Sequence, residues 1–124
     1  MPDQIILIIE DNSSNLKMLY TFLSKRGYTV LTAKNAEDGL SVINENHPTL
    51  ILMDLQLPGM DGLQLTKIVK TNPLTKDTVI IALTAFASAK DETKALNEGC
   101  DDYLSKPINM LELSDKIDNY FNKT

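Results

Sequence analysis

A single cysteine, Cys100, occurs in the 124 residues, which excludes both a disulfide framework and a thiolate metal site. A buried thiol is the plain reading of it. Positive charge is also scarce: 12 lysines and arginines face 17 acidic residues, for a formal net charge of -5. That balance disfavours non-specific contact with nucleic acid or anionic membrane. No helix-turn-helix module follows, so direct DNA binding is not expected. No apolar run approaches the roughly 20 residues that span a bilayer, and Met1-Pro2-Asp3-Gln4 lacks the basic region of a signal peptide. Membrane insertion is therefore not expected, and a cytoplasmic location is. Internal repeats, low-complexity tracts and an interdomain linker are missing as well. So is a glycine-rich loop ending in Lys-Ser or Lys-Thr, which disfavours a P-loop nucleotide enzyme. With 43% hydrophobic content, residues 1–124 fit one domain that buries roughly two thirds of its unfolded surface and leaves no room for an effector module.

What the chain does contain is five short apolar runs, each followed by helical periodicity. The strands are expected at 4–9, 28–33, 49–53, 79–83 and near 101–104, giving an α/β fold with a parallel sheet covered on both faces. Leu16, Leu19, Tyr20 and Leu23 form one buried stripe; Leu40 with Ile43, and Leu65 with Ile68 and Val69, form others. A last helix, about 109–121, offers Leu113, Ile117 and Tyr120 to the core. Gly27 after Lys25-Arg26 reads as a helix stop. The segment 87–98 has little more than alanines and one leucine to bury, so its docking is expected to be weak and the segment is a candidate for movement.

Two of the apolar runs end in acid. Ile5 to Ile9 leads into Glu10-Asp11, and Leu50 to Met53 leads into Asp54. Open parallel sheets carry their reactive groups beyond the carboxyl ends of the strands, where Thr84 and Lys106 are also expected. Three carboxylates at one edge repel unless a cation sits among them. Oxygen ligands favour Mg²⁺, with Mn²⁺ a chemically similar substitute. Asp54, ending the central strand, is the expected nucleophile towards phosphorus, forming an aspartyl phosphate. Asp11 is the expected direct metal ligand, Glu10 acts directly or through water, and the Gln56 carbonyl turns towards the ion. Lys106 would pair with phosphoryl oxygens, and in the unmodified protein would lean towards Asp54. Thr84 would donate its hydroxyl. The Lys106-Pro107 bond is a place where a cis peptide costs little, although a trans proline introducing the last helix is equally ordinary.

The ordered set Ile9-Glu10-Asp11-Asn12, Leu52-Met53-Asp54-Leu55-Gln56-Leu57-Pro58-Gly59-Met60-Asp61-Gly62, Leu83-Thr84-Ala85 and Tyr103-Leu104-Ser105-Lys106-Pro107 resembles a two-component response-regulator receiver domain over essentially the whole chain. The stretches Thr84 to Ala87 and Gly99 to Tyr103 are similar to stand-alone cell-cycle or developmental regulators. The resemblance implies a five-stranded sheet of order 2-1-3-4-5, the flavodoxin-like receiver fold. It implies phosphoryl transfer to Asp54 from a sensor histidine kinase or a histidine phosphotransfer protein. The metal set becomes Glu10, Asp11, Asp54 and the Gln56 carbonyl, with Thr84 and Lys106 sensing phosphate, and the cis form of Lys106-Pro107 is favoured. Thr84 and Tyr103 become the switch, acting on a downstream protein through the fourth helix, fifth strand and fifth helix. Gln56 and Phe86 would set the phosphoryl lifetime. Such a protein modifies itself and turns over no separate substrate. Two readings from other classes remain: a flavodoxin-like electron carrier, which Glu10-Asp11 disfavours by repelling flavin phosphate, and a small Mg²⁺-dependent phosphohydrolase, for which the chain offers little substrate pocket.

Overall fold

The structure is a computed structural model in which residues 4–57, 59–60, 62–85 and 89–121 are described. Strands and helices alternate as β1 (Ile5–Ile9), α1 (Ser13–Lys25), β2 (Thr29–Ala33), α2 (Ala36–Asn46), β3 (Leu50–Asp54), α3 (Gly62–Thr71), β4 (Val79–Thr84), α4 (Ala89–Asn97), β5 (Asp102–Ser105) and α5 (Met110–Phe121). All four pairings are parallel, and the order across the sheet is β2-β1-β3-β4-β5.

Side chains alternate between the two faces of a strand, so an unbroken apolar run must be covered on both. Ile6, Ile8, Leu50, Leu52, Ile81 and Leu83 meet Leu19 and Leu23 of α1 and Leu113 and Ile117 of α5. On the other face Leu7, Ile9, Ile51, Met53, Ile80 and Ala82 meet Ile43 of α2, Leu65 and Val69 of α3 and Ala95 of α4. Each large aliphatic side chain so buried contributes about 1.5–3 kcal/mol relative to exposure. The three inner strands are thereby the most firmly held, and β3, at the centre, carries Asp54.

Local signals set the helix ends. The Asn12 side chain accepts from the Asn15 N–H at 2.9 Å and starts α1 immediately after the Glu10-Asp11 pair. Gly27, at φ 95°, ends that helix in a conformation that costs glycine little. Gly62 opens α3 against the end of β3, where a Cβ would lie 2.8 Å from the Asp54 carbonyl oxygen. Only glycine lets the helix start so close to the backbone of Asp54. At the opposite edge of the sheet, Lys70 Nζ donates to Thr78 O and to Asp101 Oδ2, both at 2.7 Å. The same Asp101 oxygen accepts from the Ile80 N–H at 2.8 Å.

The expected fold needs correction at its strand ends and on two helix faces. The strands begin at 5, 29, 50, 79 and 102, and the last three run to 54, 84 and 105. Asp54 and Thr84 are thus the final residues of their strands, inside the ladder, because the Leu55 N–H still reaches Leu83 O at 3.0 Å. Tyr20 and Ile68 leave the buried stripes for solvent at 46% and 39% exposure, since α1 and α3 each already fill the sheet face with two large aliphatic residues. The lightly docked segment is helical over Ala89–Asn97; Ala95 is buried and Leu96 half exposed.

Candidate functional site

The carboxyl ends of β1, β3 and β5 bring Glu10, Asp54 and Lys106 together. Glu10 and Asp54 are each only 1% exposed, whereas Asp11 is exposed. One carboxylate oxygen from each of Glu10, Asp11 and Asp54 lies within 4.8 Å of the others. Lys106 Nζ stands 3.0 Å from Glu10 Oε1 and 3.0 Å from Asp54 Oδ2. The Lys106-Pro107 peptide that follows β5 is cis. Asp54 Oδ1 accepts from the Gln56 N–H at 2.9 Å. Two weaker contacts hold Glu10, from the Asn12 N–H and from Asn15 Nδ2, each at 3.4 Å.

These contacts separate the two buried acids. Burial, then a hydrogen bond with Asp54, pushes Glu10 up from 4.5 to about 7, against the opposing pull of Lys106. Burial also acts upward on Asp54, but its hydrogen bonds with Glu10, the Gln56 amide and Lys106 outweigh it and hold that carboxyl below its usual range. Burial alone would lower Lys106; the two carboxylates raise it instead. One ammonium therefore faces one ionised carboxylate and one carboxyl that keeps its proton to near neutrality. In the metal-free protein the Glu10 contribution favours the folded chain fully below about pH 4.5 and is lost as pH rises through 7.

A divalent cation would compete with that proton. Its apparent affinity is expected to rise by up to about tenfold per pH unit below 7, then level off. Calorimetric titration with Mg²⁺ between pH 5.5 and 8.5 checks this, and a flat profile would contradict it. Donor chemistry fits a hard ion: two buried carboxylates and one exposed carboxylate all offer oxygen.

Residues 6–118 match the response regulator receiver domain family. The chain belongs to the response-regulator receiver family. This receiver is 36% identical over 115 residues to the polar-differentiation response regulator DivK of Brucella ovis, covering 93% of this chain and 94% of that one. It is 30% identical to the receiver domain of the sensor histidine kinase PA1611 from Pseudomonas aeruginosa PAO1, whose structure has a magnesium ion coordinated in its active-site cleft; the TM-score is 0.89, with 98% and 99% of the two chains covered. A third likeness, at 36% identity and TM-score 0.87, covers 96% of this chain and 89% of a chain in the co-crystal structure of the Saccharomyces cerevisiae histidine phosphotransfer signaling protein Ypd1 and the receiver domain of its downstream response regulator Ssk1.

The remaining expected site residues are placed unequally around the receiver's acidic cluster. Thr84 is buried at the end of β4, and Tyr103 in β5 is half-buried against the core. The exposed Gln56 turns its side chain to the end of β4: its Nε2 donates to Thr84 Oγ1 at 3.2 Å and its Oε1 accepts from the Ala85 N–H at 3.3 Å. Phe86, expected to help set lifetime, lies outside the described residues, as do Pro58 and Asp61 of the matching stretch. Asn15 was not an expected participant. Its signal was the helix-start pattern at Asn12, which fixes where the next turn's side chains point.

Proposed function

We propose that residues 1–124 form a single receiver domain that accepts a phosphoryl group on Asp54 and uses it to change partner binding. The observation that carries this is Lys106 Nζ at 3.0 Å from both Glu10 and Asp54, at the carboxyl end of the sheet. That ammonium restrains the acids before modification and is placed to meet phosphoryl oxygens afterwards. The donor is a phosphohistidine on a sensor histidine kinase or a histidine phosphotransfer protein, a pairing supported by the likeness to the receiver crystallised with Ypd1.

In the transfer, an Asp54 carboxylate oxygen forms a bond to phosphorus while the phosphorus–nitrogen bond of the donor breaks. The imidazole leaves with the electron pair and later takes up a proton. Asp54 suits the role because its depressed pKa keeps it ionised. Mg²⁺, or Mn²⁺ in its place, would be held by Asp11, Asp54, the Gln56 carbonyl and Glu10, directly or through water, and would neutralise charge on the transferred group. Transfer adds charge and acceptor oxygens beside β4. Thr84 is drawn towards them, and Tyr103 takes the space left beside β4. The face made by α4, β5 and α5 then changes for an unidentified downstream protein. The protein catalyses its own modification and its reversal, without a separate substrate.

Among the described residues no helix is long and apolar enough to cross a membrane, which suits a cytoplasmic signalling role. Incubation with a small phosphodonor, followed by intact-mass measurement, tests the reading. One phosphoryl increment should appear with Mg²⁺ and be nearly absent with a chelator. No increment under either condition, in a folded sample, would overturn it.

A further inference from the structure

The carboxamide of Gln56 crosses from the end of β3 to the end of β4. A backbone N–H can only donate, so the carboxamide oxygen must face Ala85 and its NH₂ must face the Thr84 hydroxyl. The backbone N–H of the same residue is fixed on Asp54 Oδ1 at 2.9 Å. One residue therefore touches the acceptor carboxylate with its main chain and the neighbouring strand with its side chain. Asp54 pairs with Leu83 in the ladder, which puts Thr84, the last residue of β4, and Ala85 after it immediately beyond.

A phosphoryl group on Asp54 would bring three strong acceptor oxygens into this gap. From β4, the groups that can donate to them are the Thr84 hydroxyl and the Ala85 N–H. In the unmodified chain the Gln56 carboxamide oxygen already takes the Ala85 N–H, while its NH₂ donates to the Thr84 oxygen and holds that hydroxyl in place without using its hydrogen. We propose that Gln56 is a competitive latch, whose carboxamide oxygen occupies the Ala85 N–H that a phosphoryl oxygen needs while its NH₂ holds the Thr84 oxygen, and which so weights the equilibrium towards the unmodified arrangement. This deepens the phosphoacceptor reading and rests on it. The latch differs from a role in lifetime, because it acts before any phosphoryl group is present. It also differs from a structural brace, because its removal should improve engagement of a phosphoryl mimic. Two neutral hydrogen bonds of 3.2 and 3.3 Å at a partly exposed site correspond to a weighting of about threefold to tenfold.

The test uses the full chain with Gln56→Met, which keeps side-chain length and removes both hydrogen-bonding groups. Gln56→Asn, one methylene shorter, serves as the second variant should the first fail to fold. In the absence of Mg²⁺ and phosphodonor, amide exchange of Ala85 by NMR should quicken about threefold to tenfold, with the inner β4 amides unchanged. With Mg²⁺ saturating for each variant, as fixed by its own Mg²⁺ titration, the half-saturating concentration of beryllofluoride should fall by a similar factor. Unchanged Ala85 exchange in the folded variant, or beryllofluoride binding that is equal or weaker, would overturn the latch. Failure of the wild type to bind beryllofluoride would instead overturn the phosphoacceptor reading itself, and Ala85 exchange would still show whether the carboxamide holds β4.

Discussion

Asp54→Asn is expected to take up no phosphoryl group from a phosphodonor while remaining folded. Asparagine has nearly the shape of aspartate, and its carbonyl oxygen still accepts from the Gln56 N–H that Asp54 engages at 2.9 Å. What it lacks is the anionic oxygen that bonds to phosphorus. Removing one partner of a buried ion pair can cost several kcal/mol when the other is left alone. Here Lys106 keeps Glu10 at 3.0 Å, and the repulsion between the two acids disappears at the same time. These effects oppose one another, so the change in unfolding free energy should stay within about 1–2 kcal/mol. Intact-mass measurement and a thermal melt check the two halves separately. Retention of the phosphoryl increment in this variant would place the acceptor elsewhere.

Lys106→Met should slow formation of the adduct by about a hundredfold to a thousandfold, the usual effect of removing one well-placed donor from a developing oxyanion. Its effect on the cation should have the opposite sign. The ammonium lies against the same carboxylates, Glu10 and Asp54, that belong to the cluster suited to a metal. Without it, Mg²⁺ should bind more tightly once the pH is high enough to ionise Glu10, whose carboxyl loses the downward pull of Lys106 in this variant. Calorimetry and adduct kinetics on one sample distinguish the two contributions. Weaker binding of Mg²⁺ together with slower transfer would mean that Lys106 merely props up the site and does not act on the phosphoryl group.

Much of this site can be read from the chain because a parallel sheet brings the carboxyl ends of its strands to one edge. Ile5 to Glu10 and Leu50 to Asp54 are each an apolar run with an acid at its end, and pairing the runs is enough to bring the acids together. Finer placement depends on information that patterns do not carry. Asp54 belongs to the ladder because a neighbouring strand continues past it, and hydropathy is blind to that extension. Tyr20 and Ile68 sit at helical spacings that suit burial, yet the packed area ran out before reaching them. The side chain of Gln56 had several polar partners within reach from its sequence position. Its turn towards Thr84 and Ala85 is a rotamer choice made by two hydrogen bonds. The approach of α3 to the Asp54 carbonyl likewise follows from the absent side chain of Gly62, which no hydrophobic period reveals.

The tie made by Lys70 at the far rim has a mechanical consequence. By clasping Thr78 and Asp101 together, it joins the starts of β4 and β5 to the end of α3, so neighbouring strands cannot slip lengthwise past one another there. The base of this edge is thus pinned at the end away from the acids.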